Sequence, residues 1–251
     1  MTFRVFAFGV GVALGLMGMR ATAQQNPAGM VQPSTAKVRD RFEPAPVGQA
    51  LLQGGMLGAR IDASEKRRLL EVDENDMLDA FERRTVPHQD WQGEHVGKFL
   101  HAATQAWVYT KDAELKAKLD RVVARLLKTQ EADGYLGTYP ENKRWTSWDV
   151  WVHKYDLLGL LTYYQFTGNK EALQACRRIG NLLSKTFGTE PGQRDINRAG
   201  EHVGMAADSV LEPMVLLYRA TDDPRYLKFA TYIVTNYDAP GGPAILAPGA
   251  L

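Results

Sequence analysis

The chain has 251 residues, 45 % of them apolar and 24 % charged, enough to bury one sizeable core and too evenly balanced for a fibrous or disordered polymer. A net charge of +1, with Lys and Arg spread along the chain, leaves no broad positive field for nucleic acid or an anionic membrane, so a neutral substrate is the natural partner. The single cysteine, Cys176, excludes an internal disulfide and a multi-cysteine zinc cage within this chain.

Residues 1–23 read as a signal peptide. Arg4 supplies the positive start, Val5 to Met19 the apolar stretch, and Ala21-Thr22-Ala23 the small-x-small cleavage site before Gln24. A membrane anchor competes with this reading, but the stretch is shorter than the roughly 20 apolar residues a span requires and ends in Arg20. The mature chain is therefore expected outside the cytoplasm, secreted or periplasmic, and free of the membrane. Residues 24–46 are polar and punctuated by Pro27, Pro33, Pro44 and Pro46, which suits an extended lead-in. Residues 47–251 form the folded part.

From there to about Asp238 the pattern is helical, and the fold class expected is all-α. Three segments end one helix and begin the next: Trp107 to Asp112, Tyr164 to Asn169 and Tyr218 to Asp223. Their threonines, Thr110, Thr167 and Thr221, lie 57 and 54 residues apart, the length of a helical hairpin with its connection. After each turn comes an apolar stripe at helical spacing: Leu115, Leu119, Val122, Leu126; Leu173, Cys176, Ile179, Leu183; Tyr226, Phe229, Ile233. These mark outer helices, and Cys176 reads as packing in one of them. Before each turn runs a more aromatic segment, about Glu94 to Tyr109, Val152 to Phe166 and Ser209 to Ala220, expected to face the centre of a two-layer array. Stacked hairpins bury their faces only against neighbours, so open edges invite self-association.

The longer connections leading into the inner helices carry the residues suited to chemistry. Trp91, Trp148 and Trp151 offer flat faces for sugar rings, and Glu94, His153 and Asp208 offer partners for hydroxyl groups. Each has a plainer alternative: core filling for the tryptophans, dipole compensation for Glu94, a carbonyl-bonded core position for His153, an N-cap for Asp208. Gly-Glu-His-Val-Gly occurs twice, at Gly93 to Gly97 and Gly200 to Gly204, but the spacing is not that of a metal motif, so no metal site is assigned.

Trp91-Gln92-Gly93-Glu94-His95-Val96-Gly97-Lys98-Phe99-Leu100, Asp133-Gly134-Tyr135-Leu136-Gly137-Thr138-Tyr139, His153-Lys154-Tyr155 leading to Gly159-Leu160-Leu161, and Leu211-Glu212-Pro213 together resemble glycoside hydrolase family 127, the β-L-arabinofuranosidase-like proteins. The resemblance covers roughly Gly48 onward and implies an (α/α)6 barrel of the six-hairpin glycosidase type, with about half of the toroid in this chain. It implies retaining hydrolysis of plant-type or microbial glycans, with His153 matching a pocket histidine. It also implies a zinc ion, whose Glu and Cys ligands, one Cys being the nucleophile, come from later repeats in the family. Those ligands have no counterpart here, so no cofactor and no catalytic residue is assigned to this chain. Two alternatives stay open: a carbohydrate-binding toroid without catalysis, and a toroid of the polysaccharide lyase or unsaturated-uronyl hydrolase kind.

Overall fold

The computed structural model describes residues 51–52, 54–84 and 89–246; the expected signal peptide and lead-in lie outside them. Helix α1 (Gly55–Ser64) runs into a π-helical turn (Glu65–Leu69) and is followed by α2 (Glu74–Arg83). Three hairpins come next: α3 (Glu94–Thr110) with α4 (Ala113–Lys128), α5 (Asp149–Thr167) with α6 (Lys170–Thr186), and α8 (Leu211–Thr221) with α9 (Pro224–Asn236). A one-turn helix, α7 (Met205–Asp208), precedes the last. The described residues form helices and turns, with one isolated bridge between Phe187 and Arg194.

The repeat seen in the sequence has one local cause. Each hairpin turns through Thr, a left-handed residue and an Asx: Thr110-Lys111-Asp112, Thr167-Gly168-Asn169 and Thr221-Asp222-Asp223, with φ of 60°, 70° and 54° at the middle residue. The left-handed residue ends the inner helix, and the Asx carboxylate or amide then accepts a first-turn N–H of the outer helix, from Leu115, Ala172 and Arg225 at 2.8, 2.9 and 3.1 Å. Each threonine hydroxyl accepts the Asx N–H, tightening the corner.

The stripes assigned to the outer helices are where the layers meet. Leu115, Leu119, Val122, Leu126, Cys176, Ile179, Leu183, Tyr226 and Ile233 are fully buried, and Phe229 nearly so; Leu173 is half-buried. Fully burying a side chain of this size contributes ~1.5–3 kcal/mol, which makes this seam a substantial source of cohesion. Within the inner layer α3 and α5 touch backbone to backbone. A Cβ on Gly97 would strike the Tyr155 carbonyl, and one on Gly159 would strike the Gly97 carbonyl oxygen.

The third inner helix begins at Leu211, two residues after the start near Ser209 that the pattern predicts; a separate turn, α7, precedes it, and the chain breaks at Ser209 and Val210. Pro213 has no N–H to give to the carbonyl four residues back, so it sits in the first turn of a new helix.

Candidate functional site

Three entry loops meet at one end of the inner helices. The Tyr139 hydroxyl donates to the Asp90 carbonyl at 2.7 Å, the Ser147 hydroxyl to the Asp90 carboxylate at 3.2 Å, and the Glu201 N–H to the Ser147 carbonyl at 3.3 Å. These bonds stitch the segments before α3, α5 and α7 together. The loop before α5 is pinned by Asp149, the first residue of that helix. Its carboxylate accepts from the Tyr135 hydroxyl at 2.7 Å and from the Trp145 N–H at 2.8 Å, which holds Trp145 and Ser147 at φ of 66° and 51°.

On this platform the tryptophans form a continuous edge-to-face series. Trp148 lies 6.2 Å from Trp91, 5.4 Å from Trp151 and 5.4 Å from His202, and Trp151 lies 5.1 Å from Tyr155. Trp91 is 40 % exposed, and Trp148 and Trp151 are half-exposed, so the series is a surface rather than a core plug. Trp91, Trp148, Trp151 and Glu94, all read from the sequence, are brought together here. The Trp151 indole N–H donates to one oxygen of Glu94, while Lys98 pairs with the other at 2.6 Å.

Further along the same face lie groups that the sequence reading passed over. Lys154 rests over the Trp151 ring at 4.5 Å and the Tyr155 ring at 4.7 Å; Lys98 covers Tyr155 at 4.6 Å. Burial lowers the Lys154 ammonium, Glu212 and Glu94 work against that, and Lys98 adds to it. The Thr162 hydroxyl donates to the Leu158 carbonyl, so it accepts from Nδ1–H of His101 at 2.8 Å; Nε2 of His101 then accepts from Gln105 at 2.8 Å. Burial lowers the His101 pKa, with Glu212 opposing, which favours this neutral tautomer. Glu94, Lys98, His101 and Gln105 recur at i, i+4, i+7 and i+11, a polar stripe on an inner helix that could have been found by its period.

His153 and Asp208 stand apart from this surface. His153, a predicted partner for sugar hydroxyls, does not reach the tryptophan surface: its ring is fully buried between Tyr135 at 4.8 Å and Trp145 at 5.6 Å. Its Nδ1 donates to the Asp149 carbonyl one helical turn back, at 2.8 Å, and Nε2 has no hydrogen-bond partner. The cause is the Asp-Gly-Tyr-Leu-Gly stretch, which folds over the start of α5: a Cβ on Gly137 would touch both the Tyr135 hydroxyl and the His153 ring. Asp208 is not an N-cap. It is the last residue of α7, 1 % exposed, with neither carboxylate oxygen hydrogen-bonded. Burial first, and then the Asp195 carboxylate, push its carboxyl up to about 7.

The two Gly-Glu-His-Val-Gly copies adopt different structures. The first opens α3, whereas the second is a turn with His202 and Val203 both at φ 56°. A zinc site is not formed by the residues present: among those described, no three His, Cys, Asp or Glu side chains converge, and Cys176 is buried in α6 with burial and nearby Asp156 pushing its thiol up. On the other flank of α3 an open groove of about 830 Å³ runs along α2, lined by Arg68, Asp76, Met77, His95 and Phe99 among others.

Among solved structures, the chain is similar to a glycoside hydrolase family 127 β-L-arabinofuranosidase from Geobacillus stearothermophilus T6, with a TM-score of 0.54 and 20 % identity over 71 % of this chain and 29 % of that one. It is also similar to a second family 127 β-arabinofuranosidase, with a TM-score of 0.52 and 21 % identity over 69 % of this chain and 28 % of that one. These likenesses make the helical array part of an (α/α)6-type barrel. In sequence, it is 30 % identical over 156 residues to the non-reducing end β-L-arabinofuranosidase of Bifidobacterium longum subsp. longum, which takes in 57 % of this chain. The chain spans 23 % of that relative's length. The model of the family 127 β-L-arabinofuranosidase catalytic domain matches residues 55–240, well over half of the chain, and this chain belongs to that glycoside hydrolase family.

Proposed function

We propose that the chain supplies one wall of the sugar-binding cleft of a β-L-arabinofuranosidase-like glycoside hydrolase acting on plant-type or microbial glycans. The observation that carries this reading is the continuous half-exposed surface of Trp91, Trp148 and Trp151 at the mouth of the inner helices, bordered by His202. Sugar rings bury their C–H faces on such rings while their hydroxyls reach neighbouring polar groups such as an imidazole. Hydrolysis with retention would draw its nucleophile and its zinc ligands from outside the described residues, since Cys176 is buried and Glu94 already bonds Trp151 and Lys98.

Those same two observations favour, as a second reading, carbohydrate binding without catalysis by this chain alone. Incubation with p-nitrophenyl β-L-arabinofuranoside separates the two. Release of nitrophenol that is lost in Trp151→Ala supports the hydrolase; binding without release supports the binding wall; neither binding nor release overturns both. We further propose that the protein is exported, on the strength of Ala21-Thr22-Ala23 before Gln24. N-terminal sequencing of protein recovered outside the cytoplasm should begin at Gln24, and a start at Met1 would contradict it.

A further inference from the structure

We infer that Glu94 is a positioning residue: its buried carboxylate fixes the orientation of the Trp151 ring, and through it the shape of the aromatic wall, rather than contacting sugar. The inference rests on the reading of that wall as a sugar-binding surface. Glu94 is only 8 % exposed, one of its oxygens accepts the Trp151 indole N–H, and Lys98 pairs with the other at 2.6 Å. The indole N–H is the one polar atom of the ring and can only donate, so a carboxylate acceptor decides which way the ring faces. The remaining ring contacts, edge-on to Trp148 and Tyr155 and beneath the Lys154 ammonium, supply no acceptor for that N–H.

The backbone makes the contact possible. Glu94 and Trp151 are 57 residues apart, the spacing between the first two hairpin threonines, so they are equivalent positions on neighbouring inner helices. The close crossing at Gly97 and Gly159 brings those helices near enough for the Glu94 side chain to reach the ring. Lys98, one turn on, pairs with the carboxylate, and its own ammonium lies over Tyr155, tying the next aromatic to the same anchor.

The test is a double-mutant cycle on the full chain, with methyl β-L-arabinofuranoside as the probe and near-ultraviolet circular dichroism as a second readout. Glu94→Ala should weaken binding by about tenfold, and Glu94→Gln, whose amide oxygen still accepts the indole N–H, should stay within about threefold of the parent. In a Trp151→Phe background, Glu94→Ala should cost less than about twofold more, because the group it positions is gone. Glu94→Ala should also remove the near-ultraviolet band that Trp151→Phe removes, with the far-ultraviolet spectrum unchanged. Equal losses of affinity in both backgrounds would make Glu94 a sugar ligand and overturn the inference. If the parent chain binds no sugar, the reading of the wall fails, yet the spectra still decide: an unchanged tryptophan band in Glu94→Ala overturns the positioning role on its own.

Discussion

At the scale of single residues, Asp208 makes stability depend on pH. Its carboxyl is buried without a hydrogen bond and faces Asp195, Tyr232 and Tyr237, and it is pushed up to about 7. An unfolded aspartate ionises near ~4, so above that pH the unfolded chain has released a proton which the folded chain retains. Stability contributed by this group therefore falls as the pH rises from about 4 to about 7, and levels off beyond. Asp208→Asn should raise the melting temperature at pH 8, by the equivalent of ~4 kcal/mol, and leave it nearly unchanged at pH 4. A uniform effect at both pH values would contradict the burial account. None of this was legible in the sequence, where an Asp before an apolar helix reads as a cap; the restart forced by Pro213 moved the helix start past it. His153 was misplaced for a related reason. Periodicity located it near the start of α5, but what covers it is a non-helical stretch 14 to 18 residues upstream, which carries no period.

At the scale of the elements, the sequence was most informative where chemistry is local. The Thr-x-Asx corners announce both the end of an inner helix and the cap of the outer one, and the apolar stripes after them predicted the buried seam almost residue by residue. The contact between inner helices was not legible, because it depends on two glycines 62 residues apart that sit opposite one another only once the helices cross. Gly97→Ala should therefore destabilise the chain by ~1–3 kcal/mol, since the added methyl meets backbone that cannot rotate away. Urea denaturation measures it. A midpoint equal to the parent's would show that the helices separate freely.

For the whole molecule, family and architecture were readable from a handful of motifs, and the family match over residues 55–240 bears them out. Met56 is 75 % exposed and Leu51, Leu52 and Leu57 more than half, an apolar strip at the start of α1. We propose that it drives self-association; size-exclusion chromatography should show a concentration-dependent shift that Met56→Glu with Leu57→Glu reduces, and a concentration-independent monomer would contradict it.

Whether the inner-helix mouth is a wall that holds sugar is tested most directly by tryptophan fluorescence during titration with methyl β-L-arabinofuranoside. Trp148 and Trp151 contribute to the surface, so binding should quench emission saturably, and Trp148→Ala or Trp151→Ala should weaken it by about tenfold or more with the fold intact. A saturable titration that both alanine variants leave unchanged would place the sugar elsewhere and contradict the account.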